Sequence, residues 1–428
     1  METAASWIER DAAVVWHGFT QMSCYADNQP LIVERAEGRE LIDVDGKRYL
    51  DAISSLWVNT LGHCIPELDA ALREQLDRVA HTTMLGNGNR VVVEFAEALA
   101  ARVPVDRPHI LFAADGASAV EQALKIVFQF WTNRGVQGRT TYLAFGDAYH
   151  GDTVGSLSLG GGGFGTDVFD PLRFPVRRAP SFTDPDALDV AAAMVAEHAG
   201  ELAAVIVEPY VQGAAGMLIA NPARFGVLAD ACREHDVLLI CDEVAVGFGR
   251  TGTLFASEQC GLRPDLLCVG KGIAGGYLAM SATIAAAKVF DAFSGPDLSE
   301  RTLYHGHSFG GNALAAAVAL RHLALIDEWD VLANVVARSA QLGDRLTEAD
   351  ALGAVREVRV AGLMAGVELH PAPGERRARR VCAAMVRRGV LTRSMGDVIT
   401  IVPPLTITSA EIDRIVDTLL AALAEVVA

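Results

Sequence analysis

The sequence has little that would staple, anchor or extend it. Its seven cysteines stand at 24, 64, 232, 241, 260, 268 and 382, widely spaced and without a CxxC pair. That pattern argues against a disulfide framework or a zinc site and for buried reduced thiols in a cytoplasmic protein. Long apolar runs are lacking too. The longest uncharged stretch, 272–287, is broken by glycines, Ser281 and Thr283 and is too short for a membrane span. The first ten residues carry Glu2, Glu9 and Arg10 and no apolar stretch, so no signal peptide is expected. Positive charge is in deficit, with a net charge of −17, which argues against a non-specific grip on nucleic acid. Neither a repeat of fixed period nor a low-complexity linker divides the chain. No GxxxxGK[ST] occurs, which excludes a P-loop nucleotide enzyme.

What is present is enough for a large core. The 428 residues are 51% hydrophobic and 21% charged, ordinary globular usage that suits two or three domains and excludes a mostly disordered chain. Residues 31–50 alternate apolar and polar positions around Asp45-Gly46, the pattern of a hairpin. Leu68, Leu72, Leu76 and Val79 recur at helical spacing and predict an amphipathic helix over 67–80. From about 110 to 290, short apolar runs at 110–113, 141–145, 203–207, 237–241 and 266–269 alternate with helical stretches, as buried parallel strands covered by helices do. The glycine run Gly160 to Gly163 reads as a loop. Residues 355–369 have room for two strands, and 409–427 reads as a closing helix beginning at Ser409. The expected division is an N-terminal segment 1–60 belonging to a small domain, a large α/β domain over 61–325, and the rest of the small domain over 326–428.

Polar groups gather at the ends of the central strands. Ala203 to Val207 runs into Glu208, Val237 to Cys241 into Asp242-Glu243, and Leu266 to Val269 into Gly270-Lys271-Gly272. Open parallel sheets bind ligands outside the carboxyl ends of their strands. A lysine between two glycines can be approached closely, and when desolvated it becomes a usable amine nucleophile. A neighbouring carboxylate such as Asp242 can hold a pyridinium nitrogen protonated, the pairing used with pyridoxal phosphate. On spacing alone, a surface lysine in a turn fits Lys271 equally well. Asp115-Gly116-Ala117-Ser118 precedes a helical stretch over 119–131, and amides at such a start bind anions; an ordinary cap by Asp115 or Ser118 is the plainer reading. Tyr149 follows a strand and can stack on a flat cofactor or serve as a core tyrosine, with Asp152 as a cap. His305 and His307 stand two apart with no acidic third ligand close by, which argues against a metal site.

Taken together, Asp242-Glu243-Val244, the run Gly247 to Gly252, Pro264-Asp265 and Gly270-Lys271-Gly272 resemble the signature of the class III aminotransferases, in spacing as well as in residue type. The resemblance covers nearly the whole chain. The stretches 16–22, 54–57, 149–153, 211–217, 305–312 and 391–398 are similar to the biotin-pathway branch of that family. The resemblance implies an α/β chain of pyridoxal-phosphate-dependent fold type I, with a mostly parallel central sheet in a large domain and a smaller α+β domain. It implies pyridoxal 5'-phosphate as cofactor, a small-molecule amine donor, a keto-acid acceptor and a homodimer. The implied reaction converts 8-amino-7-oxononanoate to 7,8-diaminononanoate, with S-adenosylmethionine or lysine as donor. The alternative is a class III enzyme acting on another ω-amine or keto substrate in a specialised pathway.

The same resemblance assigns residues. Lys271 would carry the covalent link to the cofactor and move the proton. Asp242 would pair with the pyridine nitrogen, Tyr149 would stack on the ring, and Glu208 would lie on its phenolic side. Gly116 and Ala117 would hold the phosphate, with His307 and Ser308 reaching in from a second subunit. Arg393 would clamp the substrate carboxylate, a task that suits a guanidinium fork. Phe19 and Trp57 would line the apolar part of the pocket, and Asp152 would lie near the substrate amine. The chain departs from common family usage at Ala114-Asp115, Leu56, Val246 and Phe19, none of which touches Lys271 or Asp242. Phe19 lacks the hydroxyl of a tyrosine found in relatives. Leu56-Trp57 and His307-Ser308 look more like the branch that includes lysine users.

Overall fold

The computed structural model describes residues 3–162 and 165–427. Its centre is a seven-stranded sheet in the order His109–Ala113, Ser281–Ala285, Leu266–Val269, Leu238–Asp242, Leu202–Val207, Thr141–Phe145, Arg177–Ala179. Leu238–Asp242 pairs parallel with both neighbours, in register Leu238 with Ala204 and Asp242 with Cys268. Ser281–Ala285 pairs antiparallel on both sides. The apolar runs are buried on both faces, and side-chain alternation divides them between two cores. Leu239 and Cys241 belong to one core, Leu238 and Ile240 to the other.

Helix Gly116–Asn133 covers one face with Val120, Ala123, Val127, Phe130 and Trp131. The Trp131 indole N–H donates to Ala203 O across 2.9 Å, which satisfies its one polar atom inside the core. Helices Ala187–His198 and Phe225–Glu234 bury Leu188, Val195, Phe225 and Leu228 in the other core.

The two ends of the chain meet in smaller sheets. Val33–Glu37, Glu40–Asp43 and Arg48–Asp51 form an antiparallel ribbon. Its second turn holds Gly46 at φ 83, and Asp43 Oδ1 accepts from the amides of Asp45 and Lys47. The short strand Val390–Leu391 then joins Arg48–Asp51 in parallel. Val355–Ala361, Met364–Leu369, Val398–Ile401 and Arg393–Met395 make a second, antiparallel sheet. Helix Ser409–Val427 closes the chain.

Several elements differ from their sequence reading. The helix expected over 67–80 runs Pro66–Leu76, with Pro66 in its first turn where the missing N–H costs nothing. Helix Gly116–Asn133 begins three residues before the expected 119. The strand Ser281–Ala285 lies within the stretch read only as uncharged. Its alternating small residues leave too weak a hydrophobic signal to announce a buried strand. Gly160 to Gly162 follow helix Val154–Leu159 as irregular chain, and Gly163 lies outside the described residues. Among the described residues, no helix is long and apolar enough to cross a membrane.

Candidate active site

Three strand ends converge on one cavity of about 510 Å³, lined by Trp57, Gly116, Ala117, Tyr149, Asp152, Glu208, Asp242 and Lys271, among others. That volume lies in the range that takes a small molecule. Lys271 follows Leu266–Val269 and opens a short 3-10 turn, with a left-handed backbone at φ 41. Its Nζ lies 4.5 Å from the centre of the Trp57 ring. Burial lowers the amine pKa to about 8; Asp242 and Glu208 oppose that shift, and Arg250 adds to it. An amine in that range loses its proton far more readily than an exposed lysine.

Asp242 ends the neighbouring strand and is 4% exposed. Its Oδ1 accepts from the Val244 amide across 3.0 Å, and its Oδ2 lies 2.7 Å from His150 Nδ1. Among the described residues, His150 Nε2 is buried with no partner. Glu208 accepts from the amides of Tyr149 and Gly213. Burial pushes its carboxyl up to about 7, with His150 pulling against the shift and Asp242 adding to it. The Tyr149 hydroxyl donates to Asp152 Oδ2 across 2.8 Å. Burial raises this phenol, and the bond to Asp152 raises it further.

The start of helix Gly116–Asn133 forms one wall. Asp115 caps it, taking Ser118 N on Oδ1 and Ser118 Oγ on Oδ2, each at 2.8 Å. The Gly116 and Ala117 amides belong to the first turn and have no intrahelical acceptor. A Cβ on Gly116 would come within 2.6 Å of Val244 Cγ1, and one on Gly151 within 2.5 Å of Ala117 Cβ. The wall therefore stays open because its residues are small.

Trp57 reaches the cavity from a strained turn. Ser54, Ser55 and Trp57 all have positive φ, at 53, 62 and 64. Such conformations persist only where the surroundings hold them. Arg250, itself buried, donates to Pro403 O, Asn59 O and Ser54 Oγ. Burial lowers its guanidinium to about 9, with Asp51 opposing the shift.

Of the residues singled out in the sequence, Lys271, Asp242, Tyr149, Glu208, Gly116, Ala117, Trp57 and Asp152 line this cavity. The other four stand apart from it within one chain. Phe19 is 68% exposed, at φ 52 in the loop after the first helix. Arg393 is exposed at the start of its strand. His307 lines a separate cavity of about 270 Å³ with Met84, Leu85 and Phe112. Ser308 is exposed, and its carbonyl oxygen lies 2.7 Å from His81 Nε2. Sequence reasoning missed His150 and Arg250 as functional groups. Both lie inside the quoted motifs, yet no spacing rule connects residue 150 with 242 or 250 with 54.

A half-buried lysine with a desolvated amine and a buried carboxylate, both at strand ends of an α/β sheet, define a site for amine chemistry. Residues 22–423 match the class III aminotransferase family, and the chain belongs to it. It is an enzyme of that class, with the fold type I architecture of pyridoxal-phosphate-dependent transaminases. The chain is 44% identical to the adenosylmethionine-8-amino-7-oxononanoate aminotransferase of Nitratidesulfovibrio vulgaris, over 95% of this chain and 80% of that protein. The solved structure of the enzyme of the same name from Methanocaldococcus jannaschii superposes with a TM-score of 0.95 at 37% identity, covering 98% of this chain and 99% of that one. A pyridoxal-phosphate-bound amine transaminase from an uncultivated Pseudomonas species superposes at 0.91 with 31% identity, covering 96% and 99%.

Proposed function

We propose that this enzyme transfers an amino group to 8-amino-7-oxononanoate, yielding 7,8-diaminononanoate for biotin biosynthesis, with S-adenosylmethionine or lysine as donor. The observation that carries the aminotransfer reading is the Lys271 amine, buried and lowered to about 8, in one cavity with the His150-backed carboxylate of Asp242. The acceptor follows from the names of the relatives.

The cavity fits pyridoxal phosphate. It offers an amine for the aldehyde, a carboxylate for the ring nitrogen, first-turn helix amides for the phosphate and an aromatic ring at its side. Bound there, the cofactor would supply a ring that withdraws electrons from the carbon bearing the substrate amine. Asp242, oriented by His150 and the Val244 amide, would hold the ring nitrogen and keep it protonated. Gly116 and Ala117 would hold the phosphate through their amides, and Tyr149 would cover the ring. Glu208 would serve the ring's phenolic oxygen. Lys271 Nζ would take the proton from the donor carbon and, in the second half-reaction, deliver one to the acceptor carbon, the general acid–base role for which its lowered pKa suits it. Trp57 excludes water from that amine. Asp152 receives the substrate amino group.

The remaining roles belong to an assembled homodimer in the cytoplasm. His307 and Ser308 complete the phosphate site of a second subunit, and Arg393 and Phe19 recognise the carboxylate and apolar chain of the substrate. The domain division at about residues 60 and 325 is part of the same reading. The test is a half-reaction. Protein loaded with pyridoxal phosphate is mixed with S-adenosylmethionine or L-lysine, and the visible band is followed as the cofactor is aminated. Conversion by one donor, reversed by 8-amino-7-oxononanoate, supports the proposal. Conversion only by other amines, with no response to that acceptor, replaces it with the ω-amine alternative.

A further inference from the structure

A buried side-chain cluster stands behind the Trp57 turn, outside the cavity itself. Asp51 is fully buried at the end of strand Arg48–Asp51. Its Oδ1 accepts from Ile53 N across 3.1 Å, and its Oδ2 accepts from Ser55 N across 2.9 Å. The same Oδ2 lies 3.0 Å from His63 Nε2. On its other side, His63 Nδ1 lies 3.1 Å from Asn59 Nδ2. An amide NH₂ can only donate, so Nδ1 is the acceptor and the imidazole proton sits on Nε2, pointing at Asp51. Asn59 Oδ1 in turn accepts from Gly62 N at 2.7 Å. Every member of this chain of bonds is accounted for, and none of them touches the cavity.

Two facts connect the cluster to Lys271. The residues whose amides Asp51 binds flank Ser54, and Ser54, Ser55 and Trp57 all have a left-handed backbone. Asn59 also packs on the chain just beyond Lys271, where a Cβ on Gly276 would meet Asn59 Cα at 2.9 Å. A carboxylate that accepts two turn amides holds the turn, and a histidine of defined tautomer holds the carboxylate.

We infer that Asp51, His63 and Asn59 are positioning residues, which lock the strained turn so that the Trp57 indole lies over the Lys271 amine. The inference rests on the reading that Lys271 is the reacting amine, and it reaches that amine through Trp57. Releasing the turn lets the indole move off and admits water to Nζ. Asp242 and Glu208 lie outside the turn, whereas Arg250 donates to Ser54 Oγ and Asn59 O; hydration of the amine and withdrawal of that guanidinium both raise the amine's pKa.

The test uses the full chain without added cofactor. Lys271 is labelled competitively with acetic anhydride across the pH range, and the extent is read by mass spectrometry of the peptide that carries it. In His63→Phe the midpoint of labelling is expected to rise by roughly half a pH unit or more, because a hydrated amine holds its proton better. His63→Gln retains an N–H donor toward Asp51 and is expected to restore most of the shift. If His63→Phe does not fold, Asn59→Ala serves in its place, since it removes the bonds to His63 Nδ1 and Gly62 N without changing the charge. With pyridoxal phosphate present, KM for 8-amino-7-oxononanoate is expected to rise about tenfold in the folded variant. A labelling profile that matches wild type in a folded variant overturns the inference, whatever happens to KM. A shifted profile in a protein that ignores 8-amino-7-oxononanoate leaves the positioning role standing and retires the acceptor assignment instead.

Discussion

Asp242 Oδ2 and His150 Nδ1 lie 2.7 Å apart, with both side chains buried and the other carboxylate oxygen bonded to the Val244 amide. The carboxylate cannot turn without losing one of these bonds. Losing a buried hydrogen bond to a charged group costs about 1.5–3 kcal/mol, roughly tenfold to a hundredfold in rate. His150→Phe is expected to lower kcat by that factor while the protein still folds. Steady-state kinetics check this, and a kcat within about twofold of wild type would show that Asp242 is oriented without the histidine.

Lys271→Ala removes the buried amine. Turnover is expected to fall at least about a thousandfold, since among the described residues no other lysine lines the cavity. Pyridoxal phosphate added to the variant should also fail to give the protein-bound visible band. Full activity in this variant is the result that would sink the aminotransfer reading.

Gly151→Ala tests the packing of the cradle. The added Cβ would stand 2.5 Å from Ala117 Cβ and 2.9 Å from its Cα, at a φ of 127 that L-residues avoid. The start of helix Gly116–Asn133 must then shift. Stability is expected to fall by about 1–3 kcal/mol, and affinity for pyridoxal phosphate by about tenfold. Urea unfolding and fluorescence titration of the cofactor separate the two effects.

Glu208 links stability to pH. Its folded value is raised to about 7 from an ordinary 4.5, so between those values the folded chain holds a proton that the unfolded chain has lost. The contribution to stability is complete below the unfolded value and is lost as pH rises through about 7. Its size is roughly 3 kcal/mol at most. Urea midpoints of the cofactor-free protein at about pH 5 and pH 8 check this against Glu208→Gln. The stability gap between wild type and variant should shift toward the variant as pH rises, and a gap independent of pH would contradict the burial argument.

Much of this site is legible along the chain because its principal groups sit where a strand stops. An apolar run ending in Asp242, or in Gly270-Lys271-Gly272, marks a place where a buried strand delivers a polar side chain. Asp115 before a helical stretch marks a helix start in the same way, read most plainly as a cap, which it is. These are local signals, carried by neighbours in sequence. The pairing of His150 with Asp242 is not local, and neither is the contact of Trp57 with Lys271, because each joins elements that only the packed sheet brings together. The antiparallel strand Ser281–Ala285 escaped notice because its small residues are buried by the elements around them rather than by their own hydrophobicity.

Residue order alone thus determined an α/β core, a lysine and a carboxylate at adjacent strand ends, and membership of a family whose motif spans both. Tertiary structure decided the rest. Burial lowered the amine of Lys271 and raised the carboxyl of Glu208, since desolvation depends on what surrounds a group and not on its chain neighbours. Tertiary contacts also hold the left-handed turn that lays Trp57 over the amine, Asp51 accepting from two of its amides and Arg250 reaching Ser54. Within a single chain, the fold also left Phe19, Arg393, His307 and Ser308 outside the cavity, a distance between sites that no motif could express.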